Sequence, residues 1–194
     1  KFHAPKGMGA LFIRRGTRIR PLMDGGHQER GRRPGPENVP GIVAMGKAAE
    51  LALANLPAEE KVRALRDKLE SGILSRFSNV QLNGAKDARV PNTTNVGFEY
   101  IEGEAILLYL NEKGIAASSG SACSSGSLEP SHVLRAMGVP FTAAHGSIRF
   151  SLSRFTTEQE IDYTISVLPE IIDRLLEISP FWDSATKQCR PVTI

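Results

Sequence analysis

A chain of 194 residues, 41% of them hydrophobic and 23% charged, has an ordinary globular make-up and enough length to bury a core as one domain or one and a half. Its two cysteines, Cys123 and Cys189, stand in unlike settings, which argues against a disulfide framework and for a reducing, cytoplasmic compartment; no apolar run is long enough to span a membrane and no signal peptide is read. The net charge of +3 is mild, and Arg14, Arg15, Arg18, Arg20, Arg30, Arg32 and Arg33 crowd the opening residues with almost no aromatics between them, which fits a phosphate-bearing small molecule or a subunit contact at least as well as nucleic acid.

The chain opens without Met on Lys1-Phe2-His3-Ala4-Pro5-Lys6-Gly7, a motif already under way, so the sequence is expected to be the C-terminal part of something longer. Met8–Arg15 reads as a buried strand after a Pro/Gly turn. Residues 24–41 are Gly, Pro and charge without periodicity, a long loop of the sort that is usually functional or disordered. A helix is expected from about Val39 to Leu56, ended by Pro57, and a second from about Ala58 to Phe77, opening on Glu59 and Glu60 with Val62, Leu65, Leu69, Ile73 and Leu74 on one face. Pro57 is the expected domain boundary.

Beyond it the pattern alternates. Val80–Leu82 and Thr93–Tyr100 read as strands, Gly103–Lys113 as a helix ended by Gly114, and Ile115–Ser119 as a short strand. Pro130–Met137 reads as a helix ended by Gly138, and Ser147–Leu152 as a strand. A long helix follows, with Thr157 and Glu160 spaced as a capping box. The tail beyond Pro180 is expected to be irregular, and no repeat or low-complexity tract appears. Strands alternating with helices predict an α/β or α+β layer arrangement.

Three residues stand out for chemistry. Cys123 lies in Ser118–Ser127, a stretch otherwise made only of Ser, Gly and Ala, which suits a solvated arm carrying a reactive thiol better than a small buried cysteine. Lys1 precedes a constrained turn at the expected strand's edge, where a desolvated amine could form a Schiff base with a carbonyl cofactor; by composition alone it is a solvated charge. Arg149, flanked by apolar neighbours in Gly146-Ser147-Ile148-Arg149-Phe150-Ser151, is either an arginine on the solvent face of a half-buried strand or a fixed guanidinium gripping a carboxylate. The loop Gly25–Arg33 reads as an active-site cover, a dimer contact or plain surface, and His132 and His145 lack metal-ligand spacing.

Taken together, Lys1–Gly7, Gly25–Gly31, Ser118–Ser131 and Gly146–Leu152 resemble the cysteine desulfurases, pyridoxal-phosphate enzymes of fold type I. These segments occur in family order, and the runs Phe98–Glu104 and Thr142–Gly146 are most similar to the nitrogen-fixation (NifS-like) branch. The resemblance implies an α/β fold: the end of the large cofactor domain over residues 1–57, a small α+β domain over 58–180, and a tail over 181–194. It implies pyridoxal 5'-phosphate on Lys1 as Schiff-base lysine, Cys123 as the nucleophile that takes sulfur from L-cysteine as a persulfide, and Arg149 on the substrate carboxylate. It further implies a homodimer, an iron–sulfur scaffold protein (NifU- or IscU-like) as sulfur acceptor, and a transient contact of Cys123 with the nascent cluster as its metal role. No nucleic-acid or membrane partner is implied. In isolation the chain is expected to be inactive.

The sequence departs from the family twice. The residues that stack on the cofactor ring and hold most of its phosphate lie upstream of the lysine in the family and have no counterpart here, and the family's Arg-x-Gly-Thr is Arg33-Pro34-Gly35-Pro36. Proline brings neither hydroxyl nor N–H to the phosphate. Two rival readings are a related lyase acting on selenocysteine or cysteine sulfinate, and a non-catalytic sulfur-carrier or scaffold-docking module.

Overall fold

Asn38, Val39 and Pro40 begin a helix for local reasons: the Asn38 side chain accepts a hydrogen bond from the Gly41 N–H at 3.2 Å, and Pro40 sits in the first turn, where no N–H partner is needed. The computed structural model describes residues 1–119, 130–183, 186 and 188–189. Two compact units are present, Lys1–Pro57 and Ala58–Ile194.

The first unit holds α1 (Gln28–Gly31), a single turn with Glu29 and Arg30 in the left-handed region, and α2 (Val39–Ala54), followed by a short 3-10 turn at Leu56–Ala58 that continues past the unit's end. The strand expected at Met8–Arg15 does not form, and Leu11 and Phe12 are 77% and 88% exposed. An apolar run becomes a strand only beside another strand that takes up its N–H and C=O groups, and residues 1–57 contain none.

The second unit begins with α3 (Glu59–Leu74), whose Val62, Leu65, Leu69 and Ile73 are buried as their spacing predicts, while Leu74 is 37% exposed. There follow β1 (Val80–Leu82), β2 (Thr93–Phe98), α4 (Gly103–Glu112), β3 (Ser118–Ser119), α5 (His132–Ala136), α6 (Phe141–His145), β4 (Ser147–Ser151) and α7 (Glu158–Glu177). Gly114 follows α4 at φ +76°, the left-handed position that stops a helix. The capping box at the start of α7 is complete, Thr157 and Glu160 each bonding the other's backbone N–H. The α6 turn was not expected. After Pro180, where irregular chain was expected, β5 (Trp182–Asp183) and β6 (Gln188–Cys189) pair as a short antiparallel ladder.

The main sheet is antiparallel throughout, in the order β1-β2-β4-β3. One face carries Val96, Phe98, Ile148 and Phe150 into a core closed by Leu69 and Ile73 of α3, Ile106 and Leu110 of α4, and Leu168 and Ile172 of α7. Helices on one face of an antiparallel sheet define an α+β layer. The other face carries Asn95, Arg149 and Ser118, with α6 packed over its Gly97 and Ser147 end.

Candidate active site

Alternation along β4 sends Ile148 and Phe150 into the core and Arg149 to the opposite, exposed side. The ladder places Arg149 directly across from Asn95 on β2 and from Ser118 on β3. Just beyond β1, Asn83 donates its backbone N–H to the Asn95 carbonyl at 2.9 Å. Asn83, Asn95, Arg149 and Ser118 therefore form one row across all four strands.

The row is polar and only partly satisfied. Arg149 Nη2 donates to Ser118 Oγ at 3.3 Å, Ser118 Oγ donates to the Ser119 carbonyl at 3.0 Å, and no carboxylate pairs with Arg149 among the described residues. A guanidinium offers five N–H donors in a fork that suits a carboxylate. Next to the row, α6 closes over the sheet where Gly97 lies across from Ser147, whose hydroxyl donates to the Ala143 carbonyl at 2.8 Å. At the end of α6 the Phe141 and His145 rings are 4.2 Å apart, His145 Nδ1 lies 3.8 Å from Glu102 Oε2, and His145 Nε2 is buried with no hydrogen-bond partner among the described residues.

An open cleft of about 230 Å³ lies elsewhere in this unit, among Ile115, Phe150, Leu152, Thr156, Ile161 and Tyr163. No cationic side chain lines it and the carboxylate of Glu160 does, so its charge does not favour an anion. No cluster of three or more metal-ligating side chains occurs among the described residues.

The three residues singled out in the sequence fare differently. Arg149 is on an exposed sheet face with its fork largely unspent. Cys123 lies outside the described residues. Lys1 belongs to the first unit, where it is exposed and forms no ion pair with any described residue; the strand edge expected to desolvate it is absent. Sequence reasoning missed Asn83, Asn95 and Ser118, since only the register of the ladder reveals that they share Arg149's row.

Residues 1–164 match the family described as aminotransferase class V, and the chain belongs to that family. It is 66% identical over 181 residues to "Cysteine desulfurase 2" of Trichormus variabilis, covering 93% of this chain and 46% of that protein. It is 62% identical over 183 residues to "Cysteine desulfurase NifS" of Azotobacter vinelandii, covering 94% of this chain and 46% of that protein. Among solved structures, a "NIFS-LIKE PROTEIN" superposes with a TM-score of 0.77 at 40% identity, over 90% of this chain and 44% of the other. A NifS-like protein from Rickettsia africae gives 0.71 at 35% identity, over 81% and 41%. The chain thus spans under half the length of these relatives.

The family is pyridoxal-phosphate-dependent, and the residues here fit that cofactor in part. Lys1 supplies an exposed primary amine, the group a carbonyl cofactor needs. In the loop at 25–36 the Gly35 N–H is given to Gln28 Oε1 at 3.1 Å, and Arg33 Nη1 donates to the Gly35 and Pro36 carbonyls at 3.2 and 3.0 Å, so the other arginine N–H groups there are left for a phosphate.

Proposed function

We propose that this chain is the C-terminal part of a cysteine desulfurase of the nitrogen-fixation type, which takes sulfur from L-cysteine, leaves L-alanine, and holds the sulfur as a persulfide on Cys123. The observation that carries the reading is the Arg149 fork on an exposed sheet face, bonded to Ser118 on the strand that runs into the Cys123 segment and paired with no carboxylate among the described residues. Four residues take the chain from Ser119 to Cys123, a span that backbone dimensions limit to about 14 Å. Within that span the Cys123 thiol can meet the sulfur of a substrate whose carboxylate is held on Arg149. The 66% and 62% identities to proteins named cysteine desulfurase support the same reading.

Each residue then has a task. Arg149 holds the substrate carboxylate in its fork and fixes the orientation of the amino acid. Lys1 holds the carbonyl cofactor and moves protons at the substrate's α and β carbons. When bound, pyridoxal phosphate supplies an electron sink for the cleaved bond. The Cys123 thiolate attacks the substrate sulfur: the new bond is Cys123 Sγ–S, the bond broken is the substrate's Cβ–S, and its electron pair stays with the carbon skeleton, which is protonated to alanine. The sum, cysteine plus thiol giving alanine plus persulfide, is balanced with no outside oxidant. An ordinary thiol titrates near about 8.5, so local stabilisation of the thiolate belongs to the reading.

The complete enzyme in this reading is a cytoplasmic homodimer that passes the persulfide to an iron–sulfur scaffold protein, with Cys123 briefly touching the nascent cluster. No single helix among the described residues is long and apolar enough to cross a membrane, and no nucleic-acid partner is needed. The deciding experiment joins this chain to the preceding part of the Trichormus variabilis relative and measures alanine and sulfide from L-cysteine with a reductant present. Cys123→Ser is expected to abolish both products; alanine formed at an undiminished rate by that variant would remove Cys123 from the chemistry and sink the reading.

A further inference from the structure

Asn95 stands directly across the ladder from Arg149, on the same exposed face of the sheet, one strand to the other side from Ser118. Cross-strand neighbours of this kind have Cβ atoms about 4.5–5.5 Å apart, close enough for both side chains to reach one small ligand.

The direction in which the Asn95 amide points follows from a chain of hydrogen bonds anchored on the backbone. The Ser147 hydroxyl spends its proton on the Ala143 carbonyl at 2.8 Å, so towards its neighbours it can only accept. Asn83 Nδ2 donates to it at 3.0 Å, and the same Nδ2 donates to Asn95 Oδ1 at 2.7 Å. Gln81 Nε2 closes the chain by donating to Asn83 Oδ1 at 3.0 Å. With Oδ1 of Asn95 turned to Asn83, its Nδ2 is turned away, and no described residue accepts from that group. Two amides, those of Asn83 and Gln81, and the Ser147 hydroxyl thus hold the Asn95 amide in a fixed sense, with its donor end left over.

From this geometry we infer that Asn95 is a second binding residue for the substrate carboxylate, its Nδ2 donating to one oxygen while Arg149 grips the anion with its fork. The inference rests on the functional reading above and adds a residue to it. A carboxylate has room for several donors on its two oxygens, and a neutral amide beside a guanidinium adds a bond without adding charge. Among the described residues Asn95 uses one end of its amide, and its donor end, on the half-exposed polar face, is left for water or a ligand.

The test uses the joined full-length enzyme described above. Asn95→Ala is expected to raise KM for L-cysteine about ten- to a hundredfold, with kcat changed far less, and to weaken inhibition by L-alanine, which keeps the carboxylate and lacks the thiol, by the same factor. Inhibition by ethylamine, which lacks the carboxylate, is expected to stay put. Asn95→Asp keeps the oxygen that faces Asn83 and turns a negative charge towards the ligand, so its KM is expected to rise further. Unchanged KM in both variants, or equal weakening of L-alanine and ethylamine, overturns the inference. Failure of the unsubstituted enzyme to form alanine would count instead against the functional reading.

Discussion

Arg89 grips Glu70 with two parallel hydrogen bonds, Nη1 to Oε2 at 2.7 Å and Nη2 to Oε1 at 2.9 Å. Thr94 Oγ1 adds a third, to Oε2 at 2.7 Å, and the neighbouring Arg66 guanidinium donates to the Val90 carbonyl at 3.0 Å. The cluster ties the connection after β1 and the start of β2 to α3 from the core side, behind the row that carries Arg149.

Burial alone would raise the Glu70 carboxyl, but the hydrogen bonds from Arg89 and Thr94 and the charges of Arg89 and Arg66 outweigh it and hold it below its ordinary value near 4.5. A carboxyl depressed on folding contributes stability that is fully present above the unfolded value and lost as the pH falls through the folded one. Acid unfolding is therefore expected to begin below about pH 4.5, and Glu70→Gln to flatten that part of the profile. At neutral pH Arg89→Met, which strands the carboxylate, is expected to cost about 2–3 kcal/mol in urea denaturation, more than Glu70→Gln, which keeps the Thr94 bond. Equal stability of Arg89→Met and the unsubstituted protein would refute the assignment.

Thr157 governs the entry into α7, the helix that brings Ile161, Leu168, Ile172 and Leu176 to the core. Thr157→Ala is expected to lose about 1 kcal/mol and lower the melting temperature by about 2–4 °C, and Thr157→Ser, which keeps the hydroxyl, to recover most of it. Glu160 is held below its ordinary range, first by the Thr157 backbone N–H and then by the hydroxyl. That bond therefore helps above the ordinary carboxylate value and fades on acidification. A cap loss that Ser does not repair would show that packing, and not the hydroxyl, sets the effect.

Periodic elements could be read directly. Val62, Leu65, Leu69 and Ile73 mark a helix face by spacing alone, and Thr157 with Glu160 marks a helix start. Alternation around Arg149 identified a strand but left its face undecided, because which face is buried depends on helices far away in sequence. The row Asn83–Asn95–Arg149–Ser118 was invisible for a related reason: strand register joins residues up to 66 positions apart. Phe141–His145 is too short to show a period. Met8–Arg15 had the composition of a buried strand and no partner within its unit, so composition misled there.

Gly146 links α6 to β4 three positions before Arg149, and a Cβ built on it would overlap the Phe98 carbonyl oxygen and come within 2.7 Å of that of Ile101. Phe98 donates its N–H to the Gly146 carbonyl at 3.0 Å, so backbone is packed against backbone there and neither side can yield alone. Gly146→Ala is expected to destabilise by about 1–3 kcal/mol and to displace β4. Where the variant still folds in the joined full-length enzyme, KM for L-cysteine should rise through misplacement of Arg149. A stable variant with unchanged KM would show that the junction adapts without moving the strand.

Pro36 closes the loop that begins at Gly25. Its carbonyl accepts from Arg33 Nη1 at 3.0 Å, a bond that any residue at this position would keep, whereas the side chain offers no donor. Pro36→Thr restores the hydroxyl that the family's Arg-x-Gly-Thr carries and adds an N–H, while Gly35, at φ +93°, still makes the turn before it. One recovered hydrogen bond to a charged phosphate is worth about 1.5–3 kcal/mol, so in the joined full-length enzyme Pro36→Thr is expected to retain pyridoxal phosphate roughly ten- to a hundredfold more tightly. Dialysis followed by the cofactor's absorbance reads this directly. If the substituted and unsubstituted enzymes release the cofactor alike, the loop does not reach the phosphate, and the proline is a neutral replacement.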